Sequence, residues 1–162
     1  MKKVILLLGG NMGDRKALIA RARLLIENRV GEIVRSSAIY ESAPWGFTAK
    51  QSFYNQVLVV STHLTPHQIL GKILQIEKEL GRERTGKNYS SRTMDIDILF
   101  YEQEIIDTPD LIIPHPQLHK RRFTLIPLNE ILPDWNHPGL NQSIRSLLEQ
   151  CADYSAVEPI KG

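Results

Sequence analysis

The segment Asp95-Ile96-Asp97-Ile98-Leu99-Phe100-Tyr101 limits the folds open to this chain more than any other, because it sets two carboxylates in an otherwise apolar, strand-forming run. In a strand, positions i and i+2 share a face, so Asp95 and Asp97 would stand side by side, roughly 7 Å apart along the backbone. Ile96 and Ile98 then point the other way, into a core. Such a strand belongs in a sheet with one face packed and the other open to a charge-binding partner, since a carboxylate withdrawn from water must be paired or metal-bound.

Two readings of the acid pair are compatible with the residues themselves. One is a solvated strand face carrying two incidental acids. The other is a clamp for Mg²⁺ or Mn²⁺, in which one or two protein carboxylates share the ion with water and substrate phosphates. The surroundings suit a polyphosphate. Arg82, Arg84, Lys87 and Arg92 stand just upstream against the lone acid Glu83, and Lys120-Arg121-Arg122 forms a second basic cluster.

At 162 residues and 42% apolar content the chain has the length of a single soluble domain with a substantial core, expected to span 1–162. Its 20 basic against 18 acidic residues leave a net charge of +2, too even for nucleic-acid binding by electrostatics alone. Cys151 is the only cysteine, which excludes an internal disulfide and any Cys-based zinc motif and fits a reduced, cytoplasmic setting. The opening Met1–Leu8 resembles a signal peptide briefly, but its apolar run breaks at Gly9, short of the about 7–15 residues of a secretory h-region. No segment approaches the ~20 apolar residues of a membrane span.

Val4–Leu8 reads as a buried strand ending in Gly9-Gly10-Asn11-Met12-Gly13-Asp14, either a phosphate cradle or a tight turn with Asp14 capping the next helix; no Rossmann or P-loop fingerprint is present. Arg15–Asn28 is an amphipathic helix with Leu18, Ala22 and Leu25 on one face and Ile26 beside them, and Gly31 is placed to end it. Ile33–Tyr40 reads as a strand. Ser42–Gln51, with Pro44, Trp45, Gly46 and Phe47, is aperiodic and aromatic: a loop folded onto the core or a ligand-binding lid. Phe53–Thr62 is a strand with Val57, Val59 and Ser61 on one face, and Asn55 near its start. Thr65-Pro66-His67-Gln68 opens a helix with a capping box, and Gly81 closes it. Within that helix Glu77 either faces the acid pair or is solvated. A polar loop to Ser91, the Asp95–Tyr101 strand, a short strand Leu111–Ile113, a helix over Phe123–Ile131 with Pro127 near its first turn, a loop at Pro133–Gly139 and a helix over Ser143–Gln150 follow. The order β-α-β-β-α-β predicts an α+β, ferredoxin-like sheet with a C-terminal elaboration.

Taken together, Gly9–Asp14, Tyr40 with Ser42-Ala43-Pro44-Trp45-Gly46, Phe53-Tyr54-Asn55, Glu77, Leu80-Gly81-Arg82, Arg92–Leu99, and Pro114-His115-Pro116 with Arg121 and Phe123 give a chain that resembles the 6-hydroxymethyl-7,8-dihydropterin pyrophosphokinase family over nearly its whole length. The resemblance implies ATP-dependent transfer of pyrophosphate to the pterin's hydroxymethyl oxygen, a step of folate biosynthesis. It implies that Asp95 and Asp97 hold two Mg²⁺ and, with Arg82 and Arg92, form the catalytic set. ATP would meet Leu70, Glu77, Arg82, Arg84, Arg92, Ile98, Leu111, His115 and Arg121. The pterin would meet Ser42, Ala43, Pro44, Trp45, Phe53, Asn55, Asp95 and Phe123. Small-molecule substrates, no nucleic acid, no membrane and a monomer are expected. Two positions depart from the family pattern: Ser90-Ser91 precede Arg92 where a small residue and Pro are common, and Trp45 replaces a frequent aliphatic residue. Two other classes of function stay compatible with the fold and the acids: a ferredoxin-like RNA-binding module, although no RNP1 pattern is present, and a metal-dependent phosphohydrolase.

Overall fold

The computed structural model describes residues 1–42, 52–81 and 94–160. Fifteen short elements follow one another: β1 (Lys2–Gly10), α1 (Arg15–Arg29), β2 (Glu32–Ser36), β3 (Tyr40–Ser42), β4 (Phe53–Thr62), α2 (Pro66–Gly81), β5 (Asp95–Tyr101), β6 (Ile106–Thr108) and β7 (Leu111–Ile113), then a 3₁₀ turn (Leu118–Lys120), α3 (Arg122–Ile131), β8 (Asn136–His137), β9 (Gln142–Ser143), α4 (Ile144–Gln150) and β10 (Val157–Pro159). The main sheet runs β10-β3-β4-β1-β5, with β2 also paired to β4, and these pairings are antiparallel. Counting β2 and β3 together as the second strand, this is the ferredoxin-like βαββαβ arrangement that the element order predicts.

The alternation of side chains along each strand divides the core in two. Val4, Leu6, Leu8, Leu58, Val60, Ile96 and Ile98 pack against α1 and α2, through Ile19, Ala22, Ile26, Ile69, Ile73 and Ile76. On the other face Ile5, Leu7, Val57, Val59 and Leu99 pack against α3 and α4, through Leu125, Leu128, Ile131, Ile144 and Leu147. Each fully buried aliphatic side chain stabilises the fold by roughly 1.5–3 kcal/mol relative to exposure. Both faces of β1 are covered, which is why Val4–Leu8 is apolar without interruption.

The helix signals hold in detail. Asp14 accepts from Ala17 N–H at 3.1 Å, and Thr65 and Gln68 bond reciprocally, with Thr65 N–H to Gln68 Oε1 at 2.9 Å and Gln68 N–H to Thr65 Oγ1 at 3.3 Å. Ser143 caps α4 through Ser146 N–H at 3.1 Å. The buried stripe of α1, however, is Ile19, Ala22 and Ile26, while Leu18 and Leu25 flank it half-buried. The stripe is turned by one position because the sheet, not the widest apolar arc, selects the inward face.

Four expectations are corrected. The strand expected over Ile33–Tyr40 is two strands, because Ser37 interrupts the ladder: its Oγ accepts Val57 N–H at 3.0 Å and donates to Ala38 O at 2.7 Å. Pro127 lies inside α3, which begins one residue earlier than its pattern suggests, at Arg122. Pro133–Gly139 is not wholly loop, since Asn136–His137 pairs with Gln142–Ser143. Leu111–Ile113 is a strand, as expected, and its partner β6 and the edge strand β10 have no counterpart in the sequence pattern; Pro159 in β10, lacking an N–H, suits a sheet edge. Gly31 follows α1 but is required for another reason than a left-handed cap. A Cβ there would lie 2.1 Å from Ser61 O and 3.1 Å from Thr62 Cα, both backbone atoms of β4.

Gly31→Ala is therefore expected to lower unfolding stability by about 2 kcal/mol, read as a lower urea midpoint at unchanged slope. An unshifted midpoint would contradict the close approach of α1's end to β4.

Candidate active site

Strand register builds the site. Gly9 on the central β1 pairs with Asn55 on one side and Asp95 on the other, and Leu7 pairs with Val57 and Asp97 in the same way. Laterally paired residues point to the same face, so the Asn55 amide and both carboxylates project together. Phe53 lies two residues before Asn55, and Ser42 pairs with Phe53, which adds both to this face. Ile96 and Ile98 point into the opposite core, as the alternation predicts.

A cleft of about 780 Å³ opens here. Its lining from the sheet is Leu7, Gly9, Ser42, Phe53, Asn55, Asp95 and Asp97. From the covering elements come Gln117, Lys120, Arg121 and Phe123, together with Ala152, Asp153 and Tyr154. Gly9 is not part of the turn before α1. It sits inside β1, and a Cβ would come 2.5 Å from Asn55 Oδ1, so glycine leaves room for that amide. The turn comes later, at Gly13 with φ +67°, where a side chain would be strained. Asn55 is buried, and its Nδ2 donates to Ser42 Oγ at 3.4 Å.

The outer edge of β5 is held from two sides. Ile96 N–H, between the two acids in sequence, donates to Glu77 Oε2 at 2.7 Å, so Glu77 grips the strand's backbone. His115 N–H donates to Leu99 O at 3.0 Å, which fixes His115 alongside the same strand. Its Nδ1 accepts Gln117 N–H at 3.1 Å, so the neutral ring carries its proton on Nε2, leaving that group free to donate to an anion. Burial pushes the His115 imidazole below its ordinary range; the Asp97 charge opposes this, and Arg121 adds to it. Arg121 lies over the Phe123 ring, 5.7 Å from its centroid, within cation–π reach.

Of the residues singled out in the sequence, Ser42, Phe53, Asn55, Asp95, Asp97, Arg121 and Phe123 line one cleft, with His115 in electrostatic reach of Asp97 and Arg121. Leu70, Ile98 and Leu111 do not line it. Ile98 and Leu111 are buried in the core beneath α1 and α2, and half-buried Leu70 packs on that core. Arg82, Arg84 and Arg92, and likewise Ala43, Pro44 and Trp45, lie outside the described residues. Sequence reading missed Gln117 and the segment 152–154, and gave Lys120 no place in the site although its basic cluster was plain. Nothing in the local pattern of 152–154 marks it, because its position is set by tertiary ties.

The donors present suit a hard divalent ion. Among the described residues no group of three or more His, Cys, Asp or Glu gathers to hold a metal alone. Two carboxylates from one strand face are what Mg²⁺ uses when phosphate oxygens and water complete its octahedron.

A family model, 7,8-dihydro-6-hydroxymethylpterin-pyrophosphokinase (HPPK), matches residues 5–133. A 2-amino-4-hydroxy-6-hydroxymethyldihydropteridine pyrophosphokinase of Porphyromonas gingivalis is 40% identical over 141 residues, covering 85% of this chain and 95% of its own. The enzyme of that name from Aquifex aeolicus is 45% identical over 138 residues, 85% of each chain. Among solved structures, the Plasmodium falciparum HPPK-DHPS with pteroate superposes with a TM-score of 0.74 at 21% identity, over 92% of this chain and 42% of that one. The chain thus spans less than half of that protein, and the likeness there is one of fold.

In the ligand-free protein, an NMR titration of His115 is expected to give a midpoint below the ordinary ~6.5. Asp97→Asn should lower it further, because the carboxylate's attraction for the imidazolium is lost, and Arg121→Gln should raise it. A rise in Asp97→Asn would show that the two side chains do not face each other.

Proposed function

Because the chain belongs to the 7,8-dihydro-6-hydroxymethylpterin-pyrophosphokinase family, we propose that its cleft holds the flat pterin between Phe53 and Phe123 and presents the hydroxymethyl group to Asp95 and Asp97. The protein is an ATP-dependent pyrophosphokinase. It transfers pyrophosphate from ATP to 6-hydroxymethyl-7,8-dihydropterin, releasing AMP, in tetrahydrofolate biosynthesis. The placement of the pterin rests chiefly on one observation: two aromatic rings and a buried amide share a cleft with the acid pair.

Rings on the lining suit a flat heteroaromatic, and the Asn55 amide, backed by Ser42, can read the donors and acceptors on its edge. The hydroxymethyl oxygen attacks the β-phosphorus. Its O–H bond releases a proton, a new O–P bond forms, and the bridging bond to the α-phosphate breaks as AMP leaves. Two Mg²⁺ held by Asp95 and Asp97 would supply Lewis-acid polarisation of the phosphate oxygens and of the attacking hydroxyl. Glu77 acts on this pair through the backbone: by gripping Ile96 N–H it fixes the strand from which both carboxylates project. His115, donating from Nε2, and Arg121 take phosphate oxygens on the facing bank. Arg82, Arg84 and Arg92 complete the cationic enclosure in this reading, and Ala43, Pro44 and Trp45 cover the pterin. Leu70, Ile98 and Leu111 lie away from this cleft, so an adenine that met them would sit beyond it, past the outer edge of β5.

The same reading takes residues 1–162 as one catalytic domain, working as a monomer on small molecules in the cytoplasm and not on nucleic acid. Among the described residues no helix is long and apolar enough to cross a membrane.

The test is AMP formation from ATP and Mg²⁺ with and without the pterin. Pterin-dependent AMP is expected, with β-phosphorus recovered in the pterin product. Pterin-independent phosphate release would favour a hydrolase, and salt-sensitive RNA binding without turnover would favour a binding module. Asp97→Ala is expected to lower turnover on the order of 100- to 1,000-fold while the melting temperature holds. Arg92→Ala should lower kcat more than ATP affinity, since its charge acts in the transition state. Unchanged kcat with weakened ATP binding would contradict that role.

A further inference from the structure

The C-terminal segment between α4 and β10 walls the cleft, yet it lies beyond residues 5–133, which the family match covers. Its course is fixed at both ends by groups of the site. At one end Asp153 Oδ2 accepts Arg122 N–H at 3.0 Å, which caps α3 where its own N-cap residue, Arg121, makes no side-chain capping hydrogen bond. Asp153 Oδ1 meanwhile accepts Ser155 N–H at 3.0 Å and Ser155 Oγ–H at 2.7 Å, which tightens the turn. At the other end Val157 pairs with Ser42, and Ile160 N–H donates to Ile39 O at 2.9 Å. The segment therefore runs from the residue next to Phe123 to the strand that carries Ser42, along the rim of the cleft.

Tyr154 is the aromatic residue on this rim. Its neighbour Asp153 is tied to Phe123's neighbour Arg122, so one hydrogen bond joins the backbones that carry the two rings. Tyr154 lines the cleft and is 84% exposed. An aromatic this open buries little surface in the fold, and its place on the rim leaves most of the ring available to a ligand in the cleft. We propose that Tyr154 is a further pterin-binding residue, a third aromatic contact supplied by the C-terminal segment, with Asp153 as the positioning residue that holds it at the rim. The proposal rests on the assignment of the pterin to this cleft. The contact is non-covalent and adds to affinity, not to the chemical step.

The experiment is titration of the protein with 6-hydroxymethyl-7,8-dihydropterin in the presence of a non-hydrolysable ATP analogue and Mg²⁺, followed by calorimetry. Tyr154→Ala is expected to raise the pterin Kd roughly five- to tenfold, the range of one aromatic contact, and Tyr154→Phe to remain within about twofold of the parent. Affinity for the nucleotide analogue and the melting temperature should be unchanged in both, because the ring is exposed. Asp153→Ala should reproduce the pterin effect with some loss of stability, and Asp153→Asn, which keeps an acceptor for Arg122 N–H, should restore much of it. Unchanged pterin affinity in Tyr154→Ala would overturn the proposal and leave the cleft assignment standing. Equal losses of pterin and nucleotide affinity would mark the segment as structural and overturn it too. If the parent protein bound the nucleotide but no pterin, the cleft assignment itself would fall, and this proposal with it.

Discussion

The antiparallel register of β1 against β5 determines which side of the sheet the two carboxylates occupy. With Gly9 opposite Asp95 and Leu7 opposite Asp97, the acids stand beside Asn55 on an open stretch of the face, and Ile96 and Ile98 enter the core. A slip of one residue would exchange the two sets, burying both carboxylates among aliphatic side chains. The register is thus enforced by the cost of the alternative, and it is reinforced at the strand's outer edge. β5 ends the sheet, so its outward N–H and C=O groups need partners; Glu77 takes the Ile96 N–H and His115 supplies an N–H to Leu99 O. The backbone bond that satisfies this exposed edge also brings an imidazole within electrostatic reach of Asp97 and Arg121.

The two faces of the sheet divide the work. The α1–α2 face is closed and apolar, and carries the larger core. On the opposite face α3 and α4 cover only part of the strands, and the part left open carries the site. The start of α3 borders the cleft and brings Arg121 and Phe123 to it, while its first turn is capped from a distance by Asp153. Burial opposes the charge on Asp153, but the hydrogen bonds from Ser155 and Arg122 outweigh it and hold the carboxyl below its usual range. The cap's contribution to stability is accordingly present above the ordinary Asp range and is lost as pH falls through the lowered folded value.

Much of this was legible in the residues. The strand Asp95–Tyr101, its two-faced alternation, the capping box at Thr65 and Gln68 and the cap at Asp14 are local signals, and local hydrogen bonding and periodicity decide them. What could not be read depends on contacts between distant segments. Gly31 and Gly9 look like helix stop and turn, yet each is needed because another part of the chain approaches closely: the Ser61 backbone in one case, the Asn55 amide in the other. Ser37 breaks a strand by bonding to Val57 on β4, twenty residues on, and Glu77 could be assigned only once β5 lay beside α2. For the same reason Tyr154 could not be read as a site residue, since its place depends on the tie of Asp153 to Arg122 and the pairing of β10 with β3.

On the proposed function, this register makes Asp95 and Asp97 a joint ligand for divalent cations bound with the nucleotide. Titrating Mn²⁺ into the protein with a non-hydrolysable ATP analogue, and counting bound ions by electron paramagnetic resonance in the parent and in Asp97→Asn, tests that role. Two ions per chain are expected in the parent, and fewer or much weaker ones in the variant at unchanged melting temperature. The same stoichiometry and affinity in both would contradict it, and the acid pair would be a solvated strand face after all.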